Sequence, residues 1–343
     1  MSYRITWIEA QHSFEAAADE TVLDAARRAG VVLPSECEFG GCGTCRVKVQ
    51  QGSVQYEALP PALSQEEASE GYALMCQARA VSDLVISTER TLAAPASARR
   101  RKATVVNTTP LSPEVTRLVL TFADDEPWIF RPGQYLNVLL GEAGPRSFSV
   151  ASRAEATDEP ARVELHIRQI DGGYFTQTRL SALRPGDMLD VEAPLGGFGY
   201  HEDDYRPVVM VATGTGIAPL RSMLAEMLAS GDTPPIELYW GGRTHDTLYL
   251  HDELTQLAQQ HEDFRYVPVL SRPDATWRGA RGYVQDAVVA AHPDLSEHAL
   301  YLCGSPVMIA DASRAFVAHG ASVRYLYVDS FTFQHSPPVE AAA

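Results

Sequence analysis

Four of the chain's five cysteines fall in its first quarter, at Cys37, Cys42, Cys45 and Cys76, while the fifth, Cys303, stands far away. Cys37-x4-Cys42-x2-Cys45 crowds three thiols into one loop, with Gly40, Gly41 and Gly43 between them. Glycines let such a loop take positive φ and curl tightly, so the three thiols can converge. An odd cysteine count argues against a disulfide framework, as does an N-terminus, MSYRITWIEAQHSFE, without the charged-then-apolar layout of an export signal. A zinc site usually pairs two C-x-x-C knuckles, and one is present; buried structural cysteines rarely gather with three glycines. Thiols at this spacing point to a metal centre.

Cys76 follows Cys45 after 30 residues, which completes the plant-type [2Fe–2S] spacing. The fourth thiolate comes from a separate segment and closes the cage. Backbone N–H groups of the glycine-rich loop can then approach the cluster sulfurs and help set a reduction potential of about −400 mV for this class.

The rest of the chain is long enough for more than one core. At ~150 residues per domain, 343 residues predict two to three domains. A hydrophobic share of 45% with 21% charged residues excludes a wholly disordered chain or a fibre. With 28 Lys and Arg against 44 Asp and Glu, the net charge of −16 excludes nucleic acid or an anionic membrane as the main partner. No apolar run reaches the ~18–20 residues of a membrane span, and the expected location is the cytoplasm.

Residues 1–90 read as a small β-rich unit with one helix starting near Thr21 and stopping at Gly30. Residues 91–102, TLAAPASARRRK, read as an exposed linker, its basic run Arg99–Lys102 solvated or touching a phosphate or partner. In residues 103–204, short alternating strands at 116–122, 134–140, 146–151 and 163–169 predict a barrel or sandwich. From residue 205 to 334, apolar strands at 208–212, 236–240, 264–270, 299–302 and 323–328 alternate with helical stretches, as in a doubly wound parallel sheet. Residues 335–343 form a Pro- and Ala-rich tail, expected to be disordered.

Two further groups of motifs carry chemistry. Arg146-Ser147-Phe148-Ser149 follows Pro132-Gly133-Gln134-Tyr135 and suits a flavin: a cation for phosphate, an aromatic beside the rings and a hydroxyl near N5. An ordinary strand with a surface arginine reads the same way. Gly172, Gly173 and Thr176 open a helical stretch that fits a pyrophosphate, or simply a helix with a flexible entry. Thr213-Gly214-Thr215-Gly216-Ile217-Ala218-Pro219 lies between a buried strand and a helix, where glycines admit a pyrophosphate and the helix N-terminus attracts it. Pro219 stands where the Rossmann fingerprint has its third glycine, a place proline tolerates in a first helical turn. Cys303-Gly304-Ser305-Pro306 repeats the layout after a later strand; Cys303 reads either as a small buried hydrophobe or as a side chain beside a nicotinamide.

Taken in order, C-x4-C-x2-C…C, R-S-F-S, G-T-G-I-A-P and C-G-S-P resemble the ferredoxin–NAD(P)H reductase superfamily over nearly the whole chain. More narrowly they resemble the reductase components of bacterial multicomponent oxygenases, of the benzoate dioxygenase type. The resemblance implies a β-grasp ferredoxin domain, an antiparallel six-stranded FAD-binding β-barrel and a doubly wound NAD(P)-binding domain. It implies a cluster on Cys37, Cys42, Cys45 and Cys76, and an FAD on Arg146, Ser147, Phe148, Ser149, the strand His166, Ile167 and Arg168, and Gly172, Gly173 and Thr176. NAD(P)H would lie on Thr213, Gly214, Thr215, Gly216, Pro219, Gly304, Ser305 and Pro306. Ser149, Cys303 and Asp329, with Phe331 following, would surround the hydride-transfer site. The sequence departs from the family in three places: Phe148 stands for a commoner tyrosine, Asp329 for a glutamate and Glu38 for an arginine.

The activity so implied is hydride transfer from NAD(P)H to FAD, then single electrons through [2Fe–2S] to an oxygenase component. A Rieske-type aromatic-ring dioxygenase is the expected acceptor, with a di-iron monooxygenase, a cytochrome P450 or a deoxysugar dehydratase as alternatives. A reading from another class is a flavin and iron–sulfur redox sensor. The family points to NADH, while Arg243, Arg272 and Arg278 are the cations that could hold the 2′-phosphate of NADPH.

Overall fold

The computed structural model describes residues 2–31, 33–35, 40, 43–60, 63, 65–88, 98–122, 130–153, 162–202 and 205–331. Cys37, Glu38, Cys42, the 91–97 part of the expected linker and the expected tail at 335–343 lie outside the described residues. The chain divides into two compact units, residues 1–94 with 306–313 and 328–331, and the remainder.

In the first unit, β1 (Ser2–Trp7) and β2 (His12–Ala17) form a hairpin whose inward residues Ile5, Phe14 and Ala16 are buried. Helix α1 (Val22–Arg28) follows, with β3 (Arg46–Gln51), β4 (Val54–Gln55), α2 (Gln65–Ser69), β5 (Tyr72–Leu74), β6 (Arg79–Ala80) and β7 (Leu84–Ser87). Strand order β2-β1-β7-β3-β5, with β1 and β7 parallel and the other pairs antiparallel, is the mixed sheet expected of the β-grasp. Thr21 starts α1 by accepting a 3.1 Å bond from the Asp24 N–H, and Gly30 follows its end at φ +72°. The helix buries Val22, Leu23, Ala25 and Ala26 in the same core as Leu74 and Ile86.

The second unit begins with a barrel of β8 (Arg99–Pro110), β9 (Val115–Phe122), β10 (Tyr135–Leu139), β11 (Pro145–Ser149), β12 (Arg162–Arg168), the short α3 (Leu180–Ala182) and β13 (Met188–Leu195). All six strands lie in the order β11-β10-β13-β8-β9-β12, every pair antiparallel, and the bridge between Val150 and Leu165 brings the two ends of the sheet together. The basic run Arg99–Lys102 corrects the linker expectation. It opens β8 and pairs with residues 190–193 of β13, and Lys102 Nζ meets Asp190 at 2.6 Å. A polar run can hold a strand when its neighbour supplies the ladder bonds and its side chains face water, and no apolar period is then needed to build it.

The remaining elements are β14 (Val208–Thr213), α4 (Ile217–Ser230), β15 (Ile236–Gly242), α5 (His251–Gln260), β16 (Phe264–Leu270), β17 (Ala280–Arg281), α6 (Val284–Ala291), β18 (Ala299–Gly304), α7 (Pro306–Ala318) and β19 (Leu326–Ser330). The sheet runs β17-β16-β15-β14-β18-β19, and β14 pairs in parallel with both β15 and β18. Val208–Ala212 and the whole of β18 are buried, which explains their unbroken apolar runs. The last strand begins later than its pattern suggested, because Val323–Tyr325 first makes a 3₁₀ turn capped by Ser322. Among the described residues no helix is long and apolar enough to cross a membrane.

Candidate active site

The strand order reverses at β14: the chain leaves it for β15 and β16 on one side and returns through β18 on the other. The crevice beyond the carboxyl ends of such strands is where open α/β sheets take ligands. Ala212 pairs with Cys303, so the loop Thr213–Pro219 and the turn Cys303–Pro306 leave the sheet side by side. Gly214–Gly216 forms a 3₁₀ turn, and α4 starts at Ile217 with Pro219 in its first turn. A Cβ on Gly216 would sit 2.2 Å from the Cys303 carbonyl oxygen, so only glycine lets the loop press against the end of β18. Gly214, at φ +56°, has nothing within 4 Å of its own Cβ position, and Thr215 is half-buried. This open backbone at a helix N-terminus fits a pyrophosphate. Cys303 and Gly304 are buried, Ser305 is exposed and Pro306 half-buried.

In the barrel, β11 pairs with β10 so that Ser149 faces Tyr135 and Phe148 faces Leu136. Ser147 Oγ donates to Asn137 Oδ1 at 2.7 Å, and Arg146 Nη1 reaches the Ala143 carbonyl at 2.8 Å. Ser149 is buried, while Phe148 is half-buried with its ring centroid 5.4 Å from that of Phe175. Gln134 is buried and locks this region: its side chain accepts from Arg131 N and donates to the Gly196 carbonyl. Gly172 takes φ +72° in open space, and Gly173 precedes a π-helical stretch, Tyr174–Arg179. A Cβ on Gly173 would lie 2.3 Å from Thr176 Oγ1, which accepts from the Ile170 N–H. An open positive-φ glycine beside a helical entry is a fit for phosphate oxygens.

Residues 166–168 end β12. Ile167 is buried, and exposed Arg168 pairs with Glu114 at 3.2 Å. The His166 side chain is closed off from solvent; its Nε2 lies 2.7 Å from Glu164 Oε1 and its Nδ1 3.2 Å from the Tyr249 hydroxyl. Burial pushes His166 down, despite the pull of Glu164. Burial also opposes the charge on Glu164, but the His166 hydrogen bond and the Arg221 guanidinium outweigh it and hold the carboxyl below the usual range. Burial keeps the Tyr249 hydroxyl protonated. Neutral His166 therefore donates from Nε2 to the carboxylate and accepts at Nδ1 from Tyr249. Glu164, Arg221 and Tyr249 carry no sequence motif of their own.

In the first unit Cys45 and Cys76 are both buried. The Met75 N–H donates to the Cys45 carbonyl at 3.1 Å, tying the end of the cysteine loop to the strand before Cys76. Burial, together with the charge of Cys45 and Cys76, pushes the Tyr56 hydroxyl up to about 12 against a hydrogen bond from Leu74 N–H. A Cβ on Gly40, at φ +77°, would lie 2.6 Å from Pro60 Cβ. Thr44, beside Cys45, donates to the Val328 carbonyl at 3.2 Å, next to buried Asp329; Phe331 is half-buried. Arg243 and Arg272 are neighbours, since Arg272 N–H donates to the Arg243 carbonyl at 2.8 Å; Arg278 instead reaches the Ala275 carbonyl of its own turn.

Comparison with known proteins agrees with this arrangement. Three family models match in succession: a 2Fe-2S iron-sulfur cluster binding domain over residues 5–81, an oxidoreductase FAD-binding domain over 102–200 and an oxidoreductase NAD-binding domain over 210–314. The chain is 35% identical over 339 residues to the phenol hydroxylase P5 protein of Acinetobacter pittii, covering 96% of this chain and 95% of that one. It is 36% identical over 321 residues to the reductase subunit of an aromatic O-demethylase from Amycolatopsis, covering 91% and 94%. A crystal structure of a cytochrome P450 reductase from Amycolatopsis superimposes with a TM-score of 0.70 at 31% identity, over 96% of this chain and 98% of that one. Its cofactors are therefore a [2Fe–2S] cluster, FAD and a nicotinamide nucleotide. The order of the three domains and the identity along the whole chain make this protein a member of the iron–sulfur flavoprotein reductases, the NAD(P)H-dependent oxidoreductases that include reductase components of oxygenases.

Proposed function

We propose that the chain draws electron pairs from NADH and delivers them singly to the oxygenase component of an aromatic-oxidising system. The observation that carries this reading is the reversal of strand order at β14, which sets the loop Thr213–Pro219 beside Cys303–Pro306 in a chain that also holds a flavin barrel and a cysteine loop. Bound FAD exchanges electrons both in pairs and singly, which joins a hydride donor to a one-electron cluster. The chain's own groups orient these carriers. Cys37, Cys42, Cys45 and Cys76 would hold the cluster. Arg146, Ser147, Phe148, Ser149, Ile167, Arg168, Gly172, Gly173 and Thr176 would hold the flavin, His166 contributing through its backbone. Thr213, Gly214, Thr215, Gly216, Pro219, Gly304, Ser305 and Pro306 would hold the nucleotide, with Ser149, Cys303, Asp329 and Phe331 at the hydride-transfer site.

The relatives at 35% and 36% identity serve, by name, a phenol hydroxylase and an aromatic O-demethylase, which supports an oxygenase acting on an aromatic ring or its substituent. A Rieske-type dioxygenase is the acceptor expected from the sequence. Adjacent Arg243 and Arg272 are what favours NADPH as the alternative donor. We place the protein in the cytoplasm, where NADH is regenerated and thiols stay reduced.

Purified protein carrying both cofactors should reduce cytochrome c or ferricyanide rapidly with NADH, with kcat/KM higher for NADH than for NADPH. Bound cofactors without turnover would sink the reductase reading in favour of a redox sensor. Adding a partner oxygenase component should couple NADH oxidation to substrate oxidation.

A further inference from the structure

We propose that Arg221, with Glu164, His166 and Tyr249, is a positioning assembly that fixes the flavin strand against the nucleotide helix and so sets the rate of hydride transfer. The inference rests on the hydride-transfer reading above and assigns a role to Arg221, Glu164 and Tyr249, which no motif marks.

The contacts connect the two proposed cofactor segments directly. Arg221 lies two residues beyond Pro219 on α4, and Ala151 lies two residues beyond Ser149 after β11. Arg221 Nη1 donates to the Ala151 carbonyl at 2.8 Å, and the next residue, Ser222, donates from Oγ to the Ser152 carbonyl at 2.6 Å. Ser222 is fully buried. Arg221 Nε is held by Glu253 of α5 at 2.7 Å, and Nη1 lies 3.7 Å from Glu164 of β12. One guanidinium thus binds barrel backbone, a barrel carboxylate and a nucleotide-side carboxylate together.

A second route runs through rings. Trp240 Nε1 donates to the Gly214 carbonyl at 3.0 Å, in the pyrophosphate loop itself. Its indole meets Tyr249 edge-on at 5.1 Å, Tyr249 meets His166 edge-on at 5.4 Å, and His166 holds Glu164, which faces Arg221. The circuit closes between Gly214 and Ala151.

Burying these charges is not needed for adhesion. A buried ion pair often adds no more stability than apolar residues of the same volume, whereas removing one partner is costly. What directional bonds add over apolar contact is a fixed register, and hydride transfer depends steeply on the separation and alignment of donor and acceptor. A slip of α4 along the strand end at Ala151 would take the α4 donors away from the Ala151 and Ser152 carbonyls and part Arg221 from Glu164.

The test uses the full-length protein loaded with FAD and cluster. Arg221→Met should keep stoichiometric FAD and bind NAD⁺ within threefold of wild type, yet slow flavin reduction at saturating NADH at least tenfold in stopped flow. Its visible circular dichroism of bound flavin should change, a readout independent of turnover. Arg221→Lys should restore part of the rate, because a lysine keeps the charge but not the forked reach. Tyr249→Phe removes one hydroxyl from a well-packed ring and should slow reduction two- to fivefold with unchanged NAD⁺ affinity. It serves as the decisive variant if Arg221→Met does not fold. Reduction at the wild-type rate in FAD-loaded Tyr249→Phe or Arg221→Met would overturn the proposal, and so would losses confined to melting temperature or FAD content. Failure of wild-type flavin to accept electrons from NADH would overturn instead the reductase reading beneath it.

Discussion

Gly216 shows how one absent atom shapes a binding site. With its missing Cβ only 2.2 Å from the Cys303 carbonyl, any side chain must push the loop Thr213–Pro219 off β18. Gly216→Ala should therefore weaken NAD⁺ binding about tenfold, roughly 1.4 kcal/mol, as followed by nucleotide titration. Gly231 gives the contrast. It ends α4 at φ +72° with nothing near its Cβ position, so Gly231→Ala should lower stability by about 1 kcal/mol through αL strain and leave nucleotide affinity unchanged. At the cysteine loop, Cys42→Ser should remove or cripple the cluster, seen by loss of its visible absorbance, while NADH still reduces the flavin. Loss of flavin reduction in a folded variant would mean that the carriers are not modular. These residues were legible because their chemistry is local: thiols at ligand spacing and glycines at turns state their purpose within a few positions. Glu164, Arg221 and Tyr249 were not, because each is an ordinary residue in an ordinary element and acquires its role from partners 57 to 83 positions away.

At the scale of elements, burial pattern decided what could be read. Helix α1 announced itself by Thr21 at one end and Gly30 at the other; of Val22, Ala25, Ala26 and Ala29, which its pattern puts on one face, the first three are buried and Ala29 is exposed. Thr21→Ala should destabilise the first unit by about 1 kcal/mol, measured by denaturant titration of the cluster absorbance. Strands buried on both sides, β14 and β18, were equally plain. The start of β8 was not, because a run of four basic residues carries no strand signal until β13 lies beside it. The exposed Lys102–Asp190 pair adds at most ~1 kcal/mol there, so backbone pairing rather than charge holds the strand. Strand β12 also carries the titrating pair. His166 faces Glu164, Tyr249, Arg221 and Glu253, and Glu164 further senses Arg117. An unfolded histidine takes up a proton below about pH 6.5, whereas buried His166 resists it, so stability present at neutral pH is lost as pH falls through that range. Protonation of Glu164 acts in the same direction at lower pH, since its folded carboxyl is held below the unfolded value. The melting temperature should accordingly drop between pH 7 and 5.5, and His166→Asn should make that limb shallower. It should not abolish the limb, because burial also lowers His251 and His298.

For the whole molecule, the net charge of −16 gives the long-range field that a redox partner meets. Electron delivery to the oxygenase component should weaken as ionic strength rises, while ferricyanide reduction, which needs no docked protein, should not lose rate in parallel. A partner-dependent rate flat from 20 to 500 mM salt would remove charge from the docking reaction. The sequence by itself determined the three carriers and their order, because cluster, flavin and nucleotide each demand residue types that few other purposes would assemble: convergent thiols, a cation–aromatic–hydroxyl strand end and a glycine turn before a helix. The tertiary structure alone decided how the flavin strand is held to the nucleotide helix. That depends on Arg221 finding Ala151, and on His166 turning its ring to Glu164 and Tyr249. Such bonds are directional and long-range, and a side chain's hydrogen-bond partner is fixed by packing geometry, which no local pattern encodes.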